Sequence, residues 1–191
     1  MFKAYLAALS FLLIGSSSAA LADAKRDCEK LSGDAAIQAC DQAILQNRRD
    51  AEAYNNRGFK YYDKGDLDRA LADFDKAIEI DPKASVAYDN RGVVFRAKGD
   101  LDRAIADFDK SIEIDPKDAV AYDNRGNAFR DKADFDRAAA DFTKAVEIDP
   151  KYAKAYNDRG LAFQAKRDLD RAIADGRNWS IRKPSSPGSG R

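Results

Sequence analysis

The chain has 191 residues, of which 33 are Lys or Arg and 33 are Asp or Glu, so no bulk charge directs it to nucleic acid or to an anionic membrane. It contains no histidine, which removes the commonest general base and transition-metal ligand together with the usual pH switch, and argues against enzymatic and metal-centred functions. Charged residues make up 35% of the chain with both signs interleaved, the pattern of a solvated helical surface rather than of a disordered tail.

In chain order, Met1, Phe2 and Lys3 precede an apolar stretch from Ala4 to Ile14, followed by Gly15-Ser16-Ser17-Ser18 and Ala20-Leu21-Ala22. One positive charge, a short apolar segment and small residues predict a signal peptide over residues 1–22, cleaved after Ala22. The apolar stretch is shorter than the roughly 20 residues that a spanning helix needs, so a retained N-terminal anchor is the lesser alternative. Cleavage removes Lys3 and no acid, which takes the charge balance from 33 − 33 to 32 − 33. The expected compartment is the periplasm, or alternatively the extracellular space, with no membrane span after cleavage.

Residues 23–50 read as a partial N-terminal hairpin. Ala24 to Leu31 is its shortened first helix, Ser32-Gly33 its turn, and Asp34 to Gln46 its second helix, with Ala36, Cys40, Ala43 and Ile44 on one stripe. Cys28 and Cys40 fall on opposite sides of that turn and are the chain's two cysteines. In an exported chain an even count favours a disulfide between them over two buried thiols.

From residue 51 the sequence repeats every 34 residues: Tyr54, Tyr88, Tyr122 and Tyr156 are in phase, as are Gly58, Gly92, Gly126 and Gly160, and Ala70, Ala104, Ala138 and Ala172. Pro82, Pro116 and Pro150 close successive units. Within a unit, Tyr54, Gly58 and Tyr61 share one stripe of a first helix, and Ala70, Phe74, Ala77 and Ile78 share one stripe of a second. Lys64-Gly65-Asp66 supplies a left-handed stop and a capping aspartate for the next helix. After the second helix, Asp81-Pro82 forbids continuation. The units are thus 51–84, 85–118 and 119–152, with an incomplete fourth at 153–175, because Gly176 stands where phenylalanine is due. Residues 176–191, with four bases, no acids and two prolines, are expected to be a disordered basic tail; a cap, or a truncated or frame-shifted end, are the alternatives.

The pattern Tyr54-x2-Arg57-Gly58-x2-Tyr61, Ala70-x3-Phe74, Pro82 resembles the tetratricopeptide repeat, as borne by exported bacterial proteins, over about residues 51–175. The resemblance implies an all-α, right-handed superhelical solenoid of helix-turn-helix hairpins. The family usually carries leucine where Arg57, Arg91, Arg125 and Arg159 stand. In-phase Asp73, Asp107, Asp141 and Asp175 are the expected carboxylate partners of these arginines, holding each hairpin.

The resemblance further implies that first helices line a concave groove that takes a peptide or helix. Its expected lining is Asn55, Asn56 and Phe59; Asp89, Asn90, Val93 and Arg96; Asp123, Asn124, Asn127 and Arg130; and Asn157 and Leu161. In this arrangement Asn56, Asn90 and Asn124 form a ladder able to donate to and accept from an extended backbone. Relatives that clamp a C-terminal carboxylate use lysines where Asn55, Asp89, Asp123 and Asn157 stand here, so that mode is disfavoured. The expectation is a non-enzymatic interaction scaffold with no cofactor, metal or catalytic residue and with a protein or peptide partner. The alternative is a self-associating envelope module, homo-oligomeric through its incomplete fourth repeat.

Overall fold

The computed structural model describes residues 22–182. The expected signal peptide lies outside these residues except for Ala22, as does the expected tail from 183 to 191. The described residues form helices joined by short turns, with no strand among them. In order they are α1 (22–30), α2 (Gly33–Gln46), α3 (Ala51–Asp63), α4 (Leu67–Ile80), α5 (Ser85–Ala97), α6 (Leu101–Ile114), α7 (Ala119–Asp131), α8 (Phe135–Ile148), α9 (Ala153–Ala165) and α10 (Leu169–Arg182). Among the described residues no helix is long and apolar enough to cross a membrane. The chain divides into two compact units, Met1–Asn90 and Arg91–Arg191, with the division inside α5.

The helix boundaries follow from capping chemistry. Asp50, Asp66, Asp118 and Asp134 each precede a helix, and their carboxylates accept hydrogen bonds from its first free amides, Asp66 from the Arg69 N–H at 3.1 Å. At the turn before Asp66 the chain enters the left-handed region at Gly65 (φ +78°), and the Asp66 N–H reaches back to the Tyr61 carbonyl at 2.9 Å. Gly99 does the same at φ +79°, but Ala133 (φ 60°) and Arg167 (φ 63°) hold that conformation at the same phase despite a side chain.

In the unit up to Asn90, a disulfide joins Cys28 of α1 to Cys40 of α2, both fully buried. Ala24 of α1 packs on a core of Ala43, Ile44 and Ala53, flanked by Tyr54. The α3–α4 hairpin closes around Gly58 and Phe74. A Cβ on Gly58 would stand 2.8 Å from the Phe74 ring, so a side chain there would have to push the buried ring aside. Phe74 is completely buried, and such a ring contributes about 1.5–3 kcal/mol.

In the unit from Arg91, the same ring-on-glycine packing pairs Phe108 with Gly92 and Phe142 with Gly126. Phe129, Ala138, Ala139, Phe142, Ala162 and Phe163 form one core cluster, and Ala145, Val146, Ala155 and Tyr156 another. At the fourth hairpin the structure differs from the expectation of a disordered segment from residue 176. α10 continues through Gly176 to Arg182, as long as the second helices before it. A glycine costs a helix about 1 kcal/mol relative to alanine, too little to end one that is anchored by buried Asp175 on Arg159.

The expected arginine–carboxylate pairs are all present. Arg57 donates from Nε and Nη2 to the two oxygens of Asp73 at 2.8 and 2.6 Å, and Arg91, Arg125 and Arg159 repeat this fork on Asp107, Asp141 and Asp175. Arginines of these forks also reach back to the preceding hairpin, Arg57 to Asp41 and Arg125 to Asp109, each at 2.7 Å, and Arg159 to the Thr143 hydroxyl at 3.5 Å. Hydrogen bonding to the carboxylates outweighs desolvation and raises the Arg57 and Arg125 guanidinium pKa values further above their ordinary value. Lysines add ties between hairpins within each unit, Lys64 to Asp34, Lys132 to Asp102 and Lys166 to Asp136.

Candidate functional site

First helices carry the residues that the repeat pattern singles out, and the two units present them differently. In the unit up to Asn90, Asn55 and Asn56 of α3 line a depression of about 400 Å³. Its other walls include Glu52, Lys83, Ser85 and Val86, the last 56% exposed. Glu52 is held by Lys25 of α1 at 2.6 Å. Asn90 donates its amide to Asn55 Oδ1 at 3.0 Å, which fixes the Asn55 amide while Asn56 stays half-buried at the wall. Phe59, one turn further along α3, is 41% exposed and packs beside Tyr62 with ring centroids 6.4 Å apart. Asp89 is buried. The depression therefore offers amide donors and acceptors beside aliphatic surface, the combination that holds an extended backbone.

In the unit from Arg91 the expected lining is more enclosed. Val93 and Asn124 are half-buried, Leu161 is 46% exposed and Asn157 is exposed. Asp123 and Asn127 are buried, so these two do not face solvent. The Asn127 amide donates to the Asp123 carbonyl at 2.7 Å and to its carboxylate at 3.1 Å. The remaining partners of that carboxylate lie 29 and 31 residues on. Tyr152 Oη donates at 3.5 Å, and Lys154 Nζ donates to both Asp123 and Asp158. Asp158 also accepts from Arg130 at 3.2 Å, and Arg96 is engaged by Asp131 at 2.6 Å. Arg96 and Arg130, the two arginines of the expected lining, are thus each paired within the chain.

Burial raises the Asp123 carboxyl above its ordinary range, against the opposing pull of Lys154. Desolvation pulls Lys154 down, but its hydrogen bonds to the two aspartates outweigh that and raise it. Burial, and then the charge of Asp123, raise the Tyr152 phenol. Sequence reasoning missed Lys154 and Tyr152. The available signal was the phase of Lys154, which stands where Glu52, Val86 and Val120 occur in the other units. Among the described residues, no group of three or more acidic or cysteine side chains is arranged to hold a metal ion.

Models of the tetratricopeptide repeat match residues 51–84 and 74–106, and a further repeat model of that kind matches residues 92–132 and 126–166. No curated protein matches the chain. Among solved structures, MamA from residue 41 onward of Desulfovibrio magneticus RS-1 is similar over 90% of this chain and 97% of that one, at 21% identity and a TM-score of 0.76. TTC0263, a thermophilic repeat protein of Thermus thermophilus, is similar over 80% of this chain and 84% of its own, at 19% identity and a TM-score of 0.69. The first repeat domain of Spaghetti (RPAP3), bound to the HSP90 peptide SRMEEVD, is similar over 65% of this chain and 93% of its own, at 23% identity and a TM-score of 0.57. At such identities the likeness is one of fold.

Proposed function

The chain belongs to the tetratricopeptide repeat family, and from that premise we propose that it is a non-enzymatic adaptor that holds a partner peptide or helix against its first helices. The observation that carries this reading is the depression of about 400 Å³ in the unit up to Asn90, where Asn55 and Asn56 line a surface that also includes Val86. Asn90 and Asn124 continue the asparagine phase at 34-residue steps. The Spaghetti domain, similar in fold, is a repeat array with a peptide bound. The partner proposed here differs from one held by its C-terminal carboxylate. The clamp positions carry Asn55, Asp89, Asp123 and Asn157, and Arg96 and Arg130 are already paired. Main-chain hydrogen bonding to Asn55 and Asn56, with apolar contact at Phe59, is the proposed mode in the unit up to Asn90.

The protein is proposed to act after export, in the periplasm or outside the cell. The Cys28–Cys40 disulfide supports an oxidising compartment, as does the composition of residues 1–22. The units proposed are the N-terminal hairpin of residues 23–50 and repeats beginning at residues 51, 85, 119 and 153. The test is affinity capture from an envelope extract with the parent protein and with an Asn56→Ala, Asn90→Ala, Asn124→Ala variant. Loss of a captured partner at unchanged helical circular dichroism is expected. Full retention of that partner by the variant would place binding on another surface.

A further inference from the structure

The depression of about 400 Å³ in the unit up to Asn90 is walled in part by Ala51, Ala84 and Ala87, with Asn55, Asn56 and Val86. Two 34-residue repeats further on, the same phases carry Ala119, Tyr152 and Ala155, with Asp123, Asn124 and Lys154. There the chain supplies its own ring. Half-buried Tyr152 packs, as Ala119 does, against a core that includes Ala155. Its Oη lies 3.5 Å from Asp123 Oδ2, and Lys154 Nζ donates to the same oxygen.

In the unit up to Asn90 the tyrosine phase holds Ala84, and the residues in phase with those around Tyr152, namely Ala51, Asn55 and Ala87, all line the depression. Every residue from 51 to 87 is described. A cavity of roughly 150 Å³ already accommodates a benzene ring, so this one holds a phenol with part of the backbone that bears it. The charges at its walls balance. Glu52 is held by Lys25 at 2.6 Å, and Asp81 and Lys83 are of opposite sign. A neutral polar group suits such walls better than an ion, which would lose hydration without gaining a free counter-charge. Asn55 Oδ1 accepts one hydrogen bond, from Asn90 at 3.0 Å, and an amide oxygen has a second lone pair to offer.

We propose that the depression between α3 and α5 is a binding site for a tyrosine side chain of the partner peptide. The ring lies against Ala51, Ala84 and Ala87, where Tyr152 lies in the later repeat, and its phenol donates to Asn55 Oδ1. Main-chain bonds to the asparagines hold the peptide, and this pocket selects its sequence. The tyrosine site rests on the adaptor reading of this surface and adds to it the side chain that the partner must present.

The test titrates acetyl-Gly-Tyr-Gly-amide and its phenylalanine and alanine twins into the full chain and into the chain from Asp23, read by saturation-transfer NMR. The tyrosine probe is expected to bind at least about tenfold more tightly than the alanine twin. It is expected to exceed the phenylalanine twin by about threefold, a preference that Asn55→Ala removes. Ala84→Tyr, which brings the ring that position 152 carries, and Ala51→Leu, a second plug, are each expected to weaken the tyrosine probe by at least about tenfold with helicity retained. Binding by the chain from Asp23 alone supports the site and shows that residues 1–22 compete for it. Equal binding of the tyrosine and alanine probes, binding of neither by either chain, or undiminished binding to both plugged variants overturns the proposal. A partner captured from envelope extract that is lost with the asparagine variant but kept by Ala84→Tyr also overturns it, while leaving the adaptor reading in place.

Discussion

Arginine stands at a helix position where the family commonly carries leucine, and the Arg125–Asp141 pair shows what should follow from exchanging it. Asp141 is nearly buried, with a side-chain exposure of 9%, and that of Arg125 is 20%. Breaking a buried ion pair by removing one partner costs about 3–5 kcal/mol, whereas replacing both with apolar residues is often neutral or favourable. In Arg125→Leu the Asp141 carboxylate loses both of its close donors, at 2.8 and 2.7 Å, so a loss of about 3 kcal/mol is expected. In Asp141→Ala the guanidinium keeps Asp109, whose side chain is 55% exposed, and a smaller loss of about 2 kcal/mol follows. Arg125→Leu with Asp141→Ala leaves no stranded charge and restores apolar contact, so the double variant should lie within about 1 kcal/mol of the parent. At about 2–4 °C per kcal/mol for a chain of this size, the single variants lower the thermal midpoint by roughly 4–12 °C and the double by a few degrees. Urea titrations of all four proteins close the cycle. Single variants within about 0.5 kcal/mol of the parent, or losses that simply add, would refute the view that the pair is a coupled buried unit.

Ala133→Gly is expected to stabilise the protein by about 1 kcal/mol, read as a rise in melting temperature, because Ala133 holds φ 60° where Gly65 and Gly99 need no side chain. Reduction, or a Cys28→Ser with Cys40→Ser variant, should remove about 3 kcal/mol of chain-entropy stabilisation from the N-terminal hairpin across a separation of 12 residues, and hydrogen exchange should report the loss in α1 and α2 first. The capping carboxylates Asp66, Asp100 and Asp134 lie below their ordinary value of 3.8, chiefly through the backbone amides they accept, then through the neighbouring arginine. Their contribution is fully present above pH 3.8 and is lost as pH falls through the lower folded values, so helical circular dichroism should be flat from pH 7 to about 5 and fall below about 4.

The hairpins were legible because their signals are local and repeated. A glycine facing a phenylalanine 16 residues on, an aspartate after each tight turn and a proline after each second helix all act within one unit. The intra-hairpin arginine forks were legible for the same reason, since the charge at a stripe edge required a partner in phase. The second reach of Arg57 to Asp41 and of Arg125 to Asp109 was not anticipated, because it depends on how one hairpin lies against the one before it. The enclosure of Asp123 was hidden in a similar way. Its cover, Tyr152 and Lys154, arrives from the next unit and replaces residues of different character at that phase. The missing phenylalanine at 176 and the basic, acid-free composition that follows point to an end at 175, but the Asp175 anchor on Arg159 carries α10 past Gly176 to Arg182.

The central claim is that a partner lies on the first helices, and site-specific photocrosslinking reads this directly. Benzoylphenylalanine placed at Phe59 or Val86, both exposed on the first-helix side of the unit up to Asn90, is compared with the same group at Glu79 or Glu113, exposed on second helices. Crosslinks in the cell envelope to one defined partner from positions 59 and 86, and none from 79 and 113, are the predicted result. The same partner crosslinked only from 79 and 113 would contradict the claim.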